Sequence, residues 1–473
     1  MKKFLSAVLA GLMISSLAVS SAYAEPLGGF DPGIENLQGY QEVVFLTGKP
    51  ILMKGTVKTS VKEKDDERTE KYTYKLEDAS GEFTLSRSLS LTATLQEDYG
   101  QTVEVATVDS FKETIKLGDA TYSADDKTSE FTQSIIYDNK PAVSYYAGNM
   151  AYRKVYKGGD KTPDIIVDME GTSVGYNQAW GNTETRTMNY YISSSDSKGI
   201  QGSYTVKNSN NVTKDIVYAQ NQPTQISFRG GYMVSEKDES VMEYSYDINS
   251  RVGSNSITLA NNPKFTRLNV PELRDTSGHW AEEPIKILAS LNAISPNAKN
   301  FAPSLAISRE EFAKAVAVIS DIVEEESTVR RNKKNQEQPL FTDTAMDSEK
   351  YKYVKAVATK GIMGGVGEDR FAPKGELSKA QAATILINAL GVEALAPNGA
   401  YSTGFKDDYS IPYWAKDSVY MARSLGLIDG TESGFFQPNK SLTRAEAASI
   451  LNNYIHYLSY DLREDFRERI VNY

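Results

Sequence analysis

Two hydrophobic textures divide the chain. From Glu25 to about Val270 apolar and polar positions alternate: Phe83, Leu85, Leu89, Leu91, Ala93 and Leu95 share one parity, broken only by Arg87. Tyr72, Tyr74 and Leu76 repeat the pattern, as do Met242, Tyr244, Tyr246 and Ile248. A period of two marks strands with one buried face. Turn signals stand at Asp78-Ala79-Ser80-Gly81, Asp125-Asp126-Lys127, Gly158-Gly159-Asp160 and Asn208 to Asn211, so this half is expected to be all-β with a dozen or more strands. The run from Phe83 to Leu95 would extend about 43 Å, longer than the strands of most compact sandwiches. A large extended sheet, a sandwich or a solenoid is expected, and no short repeat singles out the solenoid.

After Pro271 the apolar spacing changes to three and four, and helices are expected. This half also repeats itself. Phe301-Ala302-Pro303, Phe371-Ala372-Pro373 and Phe436-Gln437-Pro438 recur, and six residues after each proline comes Arg309, Lys379 or Arg444. Upstream of each unit an Asp follows an apolar residue by two: Leu273 with Asp275, Phe341 with Asp343, Phe405 with Asp407. Three helix–loop–helix copies therefore fill about 273 to 458. In each, a hydroxyl residue precedes Glu or Gln by three (Ser308 and Glu311, Ser378 and Gln381, Thr443 and Glu446), a capping box that starts a helix. The apolar stripes continue through Phe312, Ala315, Val316 and Ile319, and through the equivalent positions of the other copies.

The box gives its hydroxyl and acid a structural task, but not the basic residue between them. At the first helical position that side chain is expected to point outward from a terminus that favours negative charge, and an Arg fork there can read an anion. Trp280 and Trp414 occupy equivalent places, each 14 residues before Ile294 or Ile428. Either could be core or could stack on a sugar face. Gly361 and Gly426 stand where a helix needs a left-handed residue after its end, with Asn292 in that place in the first copy.

Leu-Arg-Asp-Thr-Ser-Gly-His-Trp-Ala at 273 to 281, Gly-Leu-Ile-Asp-Gly at 426 to 430, Phe-Gln-Pro at 436 to 438 and Leu-Thr-Arg-Ala-Glu-Ala-Ala at 442 to 448 resemble the S-layer homology (SLH) repeat. The resemblance covers roughly 40% of the chain. It implies an all-α, pseudo-threefold unit of three repeats that binds a secondary cell-wall polymer, and with the alternating half before it the chain is expected to be multidomain, an all-β N-terminal domain followed by that unit. In such families a pyruvylated amino sugar presents its carboxylate to the Arg of the Thr-Arg-Ala-Glu motif. By that resemblance Arg309 and Arg444 would read the carboxylate, and Asp275, Trp280, Asp407, Trp414 and Gly430 would shape the sugar grooves. The middle copy departs from the pattern: Glu349 stands in the place of Trp, and Lys379 with Gln381 replaces Arg with Glu. Lysine keeps the charge and loses the planar fork, so the Lys379 groove is expected to be weak. The expected units are a signal peptide at 1–24, a β-rich domain at 25–270, repeats at 271–328, 339–395 and 403–458, and a tail at 459–473.

Composition narrows the remaining choices. MKKFLSAVLAGLMISSLAVSSAYA has two lysines, an apolar stretch and an Ala22-Tyr23-Ala24 ending, the form of a secretory signal cleaved after Ala24. Its removal would leave 50 basic against 62 acidic residues, a charge of −12, unsuited to wrapping nucleic acid. Zero Cys and two His exclude thiolate chemistry and leave little for imidazole catalysis, so no cofactor, metal site or catalytic residue is assigned. Gly171-Thr172-Ser173-Val174-Gly175 spells a serine-hydrolase elbow, but no helix pattern follows it. The expectation is an exported protein, held non-covalently at the wall and not inserted in the membrane. Self-association in a surface layer and a glycan-active enzyme or adhesin within 25–270 are the open alternatives. A porin-type barrel is disfavoured, because the repeats follow the β half and no aromatic-girdled strands are evident.

Overall fold

Strict alternation over long runs produces long strands. The computed structural model describes residues 30–470 except 31, 37–38, 65, 99, 159–161, 197–198, 221–229, 297–298, 324–337 and 368. The expected signal segment and most of the expected turn at Gly158-Gly159-Asp160 lie outside the described residues. The strands are β1 (Ile34–Asn36), β2 (Gly39–Val44), β3 (Ile51–Lys64), β4 (Glu67–Glu77), β5 (Phe83–Asp98), β6 (Gln101–Leu117), β7 (Ala120–Asp125), β8 (Ser129–Asn139), β9 (Val143–Tyr156), β10 (Ile165–Gln178), β11 (Gly181–Ser194), β12 (Gln201–Ala219), β13 (Gly231–Ile248), β14 (Arg251–Ala260) and β15 (Lys264–Arg267). They form one antiparallel sheet in chain order from β1 to β14, with β7 set aside on β6 and β15 on β13. Contact of β1 with β13 and β14 brings the two ends together, so the sheet curls until it is nearly closed. This is the extended-sheet expectation; neither a two-sheet sandwich nor a solenoid forms.

On β4 the inward residues are Arg68, Glu70, Tyr72, Tyr74 and Leu76, while Lys71, Thr73 and Lys75 face out. The outward face of this strand is polar. The Arg87 interruption keeps its parity and points inward, where Nη1 and Nη2 grip Glu42 at 2.8 and 2.9 Å and Nε meets Glu113 at 2.7 Å. Lys154 and Tyr156 complete the Glu113 shell at 3.2 and 2.9 Å. Burial pushes the Glu113 carboxyl up, but Arg87 and Lys154 outweigh it and bring it down to about 2. A second buried set joins Arg68 to Glu70 and Glu104, each at 2.6 Å.

One expected turn is overturned. Asn208 to Asn211 lies in the middle of β12, paired with β11 and β13. Asn208 points inward, and its amide donates to the carbonyls of Pro32 and Gly33 at 2.9 and 3.0 Å. Ser240 Oγ donates to Glu35 O at 3.1 Å, and Phe30 packs on Phe131 with ring centroids 5.1 Å apart. The leading segment thus runs inside the curl, and its backbone is what the asparagine serves. The hydrolase-like string also lies within a strand: Ser173 is fully buried in β10.

Among the described residues, helices occur only in the C-terminal region: α1 (Glu282–Ser290), α2 (Arg309–Ile319), α3 (Tyr351–Thr359), α4 (Lys379–Leu390), α5 (Lys416–Ser424) and α6 (Arg444–His456), with α6 winding on to residue 470. All three capping boxes form. Gly361, Gly426 and Asn292 take φ of 70°, 67° and 55° after α3, α5 and α1. The helical tail docks on the sheet. Gln178 Nε2 donates to Leu458 O at 2.8 Å, Trp180 Nε1 to Ile319 O at 2.9 Å, and Phe466 packs on Tyr145 and Tyr176. Trp180 is buried at this junction, and one apolar cluster runs across it.

Candidate functional site at the seams between repeats

Each repeat's second helix packs on the first helix of the next: α2 on α3, α4 on α5, and α6 back on α1. The chemistry of the helix starts follows from this ring. The capping residue satisfies the third N–H, and the first two are taken by the neighbouring repeat. Arg309 N and Glu310 N donate to Gly375 O and Pro373 O, Lys379 N and Ala380 N to Lys440 O and Pro438 O, and Arg444 N and Ala445 N to Leu305 O and Pro303 O. The helix termini therefore have no free N–H groups to offer an anion; any anion must be met by side chains.

The three basic side chains do not point freely outward, which corrects the sequence expectation. Arg309, Lys379 and Arg444 are only 6, 7 and 7% exposed. Each lies over the Phe of the next repeat's Phe-x-Pro loop: Arg309 over Phe371 at 5.0 Å, Lys379 over Phe436 at 5.9 Å, Arg444 over Phe301 at 4.7 Å. Arg309 Nε donates to Phe371 O at 2.8 Å and Nη2 to Gly364 O at 2.7 Å. Arg444 Nε donates to Phe301 O at 2.7 Å, Nη2 to Ser295 O at 3.0 Å, and Nη1 pairs with Glu311. Burial lowers the affinity of Arg309 and Lys379 for their protons. The reason for the inward turn is geometric: the next repeat's carbonyls lie within reach, and an Arg fork can satisfy several at once.

The repeated Asp residues hold the same loops. Asp275 accepts from Phe301 N and Ala302 N at 2.8 and 2.7 Å, Asp343 from Phe371 N and Ala372 N at 2.8 Å each, and Asp407 from Phe436 N and Gln437 N at 2.7 Å each. Ala302, Ala372 and Gln437 are left-handed, with φ of 58°, 54° and 59°. Desolvation raises the Asp275 and Asp343 carboxyls, but the two backbone donors outweigh it and hold them below the usual range. Gly430 lies against the Phe405 ring, where an added Cβ would sit 2.9 Å from a ring carbon.

Trp280 and Trp414 are 66 and 55% exposed, so neither is core. Glu349 is exposed in the third such place. Because every basic residue reaches forward, the partners are reshuffled relative to the order along the chain. Arg444 meets the repeat of Trp280, Lys379 meets that of Trp414, and Arg309 meets the repeat that has Glu349. Sequence reasoning missed three residues here. Lys314 is buried, with Nζ donating to Asn292 Oδ1 at 3.2 Å and Ser295 Oγ at 2.7 Å, and Tyr409 and Tyr413 are almost fully exposed near Trp414. None of the three recurs at the equivalent position of the other copies, so the repeat pattern gave no signal for them.

These helix–loop–helix units, each with a capping box and a left-handed helix end, define a class of structural repeat. Residues 272–313, 340–383 and 404–448 match the S-layer homology domain, and the C-terminal region carries three such domains. The chain is 31% identical over 176 residues to the S-layer protein EA1 of Bacillus anthracis, covering 37% of this chain and 19% of that protein. An S-layer protein of Bacillus licheniformis is 31% identical over 177 residues, covering 37% and 18%. The exoglucanase XynX of Acetivibrio thermocellus is 27% identical over 201 residues, covering 42% and 18%. The matched region thus spans about a fifth of the length of these relatives. The matches show that the C-terminal region is shared with S-layer proteins and with an exoglucanase.

Proposed function

We propose that the three repeats form a pseudo-threefold unit that holds the protein on a secondary cell-wall polymer, and that the curled β domain is the part displayed outward. The ring of forward-reaching contacts supports the threefold reading. The ligand we infer is an acidic sugar, of the pyruvylated kind expected for such repeats, whose carboxylate displaces one of the weaker partners of a buried basic residue. The observation that carries this is the pairing of Arg444 with the repeat bearing exposed Trp280. Only this seam combines a guanidinium fork with an indole face; the Lys379 seam has the indole alone, and the Arg309 seam the fork alone. We therefore rank the Arg444 seam first and the other two as auxiliary, with avidity on a repeating polymer adding to both.

Arg444→Lys tests the fork directly, since it keeps the charge and loses the planar donor pair. The variant should pellet less with purified wall sacculi while its circular dichroism is unchanged. Equal pelleting would remove the carboxylate-reading role. A glycan-active β domain is the second reading, favoured by the exoglucanase relative; turnover of a polysaccharide panel by the full chain tests it. Self-association in a surface layer is tested by sedimentation of the free protein.

A further inference from the structure

Between the sheet and the helical tail lies a cavity of about 220 Å³. Asn182 of β11, Thr213 of β12 and Lys237 of β13 form one wall, and Ser459, Tyr460 and Arg463 of the tail form another. Two features set it apart from a packing fault. Lys237 and Arg463 have no hydrogen-bond or ion-pair partner among the described residues, in a chain whose acids outnumber its bases by ten. Ser459 Oγ is buried with no partner of its own. No carboxylate lines the cavity; Asp215, just beyond it, accepts the Tyr460 hydroxyl at 2.9 Å.

The geometry points to an oxyanion site at the domain junction, taking a small phosphate or carboxylate group. Both side chains are exposed at the cavity's rim, so two cations can converge there on one anion. The guanidinium supplies a planar pair of donors and the ammonium a point charge. Asn182, Thr213 and Ser459 add neutral donors that fit the remaining oxygens. Because the walls belong to both units, a bound anion bridges tail and sheet and stiffens the junction. The site is separate from the seams between repeats and does not depend on the wall-anchoring reading.

The test is calorimetric titration of the full chain with inorganic phosphate and, in a second arm, acetate, at constant ionic strength set with chloride. At least one oxyanion should give saturable heat and raise the melting temperature. The Lys237→Gln/Arg463→Gln variant, altered only at exposed side chains, should bind at least tenfold more weakly with unchanged circular dichroism. Ser459→Ala should weaken binding to a smaller extent. The arm that responds identifies the anion as phosphate-like or carboxylate-like. No saturable heat with either ion, or equal binding by the double variant, overturns the proposal.

Discussion

At the residue scale, the motif residues hold loops before they hold anything else. Asp407 is buried with both oxygens engaged by backbone donors, so Asp407→Ala should cost about 1–3 kcal/mol through an orphaned donor, read by urea unfolding. Asp275, more open to water, should cost nearer 1 kcal/mol. Inside the sheet, Glu113→Gln removes a buried carboxylate that Arg87 and Lys154 both engage and should destabilise by about 3–5 kcal/mol. The sign of its pH dependence follows from a folded pKa of about 2, below that of an unfolded glutamate. Its stabilisation is complete above the unfolded value and is lost as the pH falls from there toward 2. Stability measured between pH 6 and pH 3 should therefore fall less in Glu113→Gln than in the wild type.

At the scale of elements, the capping boxes and left-handed helix ends were legible because local chemistry alone fixes them. Ser308 with Glu311 states a helix start, and Asn292 or Gly361 states a helix end, whatever packs nearby. The inward turn of Arg309 and Arg444 was not legible, because their carbonyl partners lie 55 to 149 residues away and only the ring brings them together. Asn208 was misread for the same reason: its partners are Pro32 and Gly33. Closure of the ring has a consequence. Without residues 339–395 the N–H groups starting α2 lose their carbonyls, so that deletion should melt the other two repeats as well, seen as loss of helical circular dichroism. The tail gives another test. Phe466→Ala should cost about 3–5 kcal/mol and raise hydrogen exchange at Gln178 and Trp180 while leaving the centre of the sheet protected.

For the whole molecule, the two textures of the sequence correspond to two units that share one continuous apolar cluster. Neither half would be clean in isolation, since a cut at the boundary exposes Tyr145, Tyr176 and Phe466. Attachment is therefore best measured on the full chain, with substitutions that leave the fold alone. Trp280 and Trp414 are suited to this, because their exposed rings contribute little to packing. The most direct measurement is co-sedimentation of wild type, Trp280→Ala and Trp414→Ala with wall sacculi before and after the secondary polymer is stripped. Wild type should pellet only with unstripped sacculi. Trp280→Ala should bind about 30-fold more weakly, the effect of losing about 2 kcal/mol at an aromatic anchor, and Trp414→Ala should lose less. Pelleting that is unchanged by Trp280→Ala, or that survives removal of the polymer, would contradict the account.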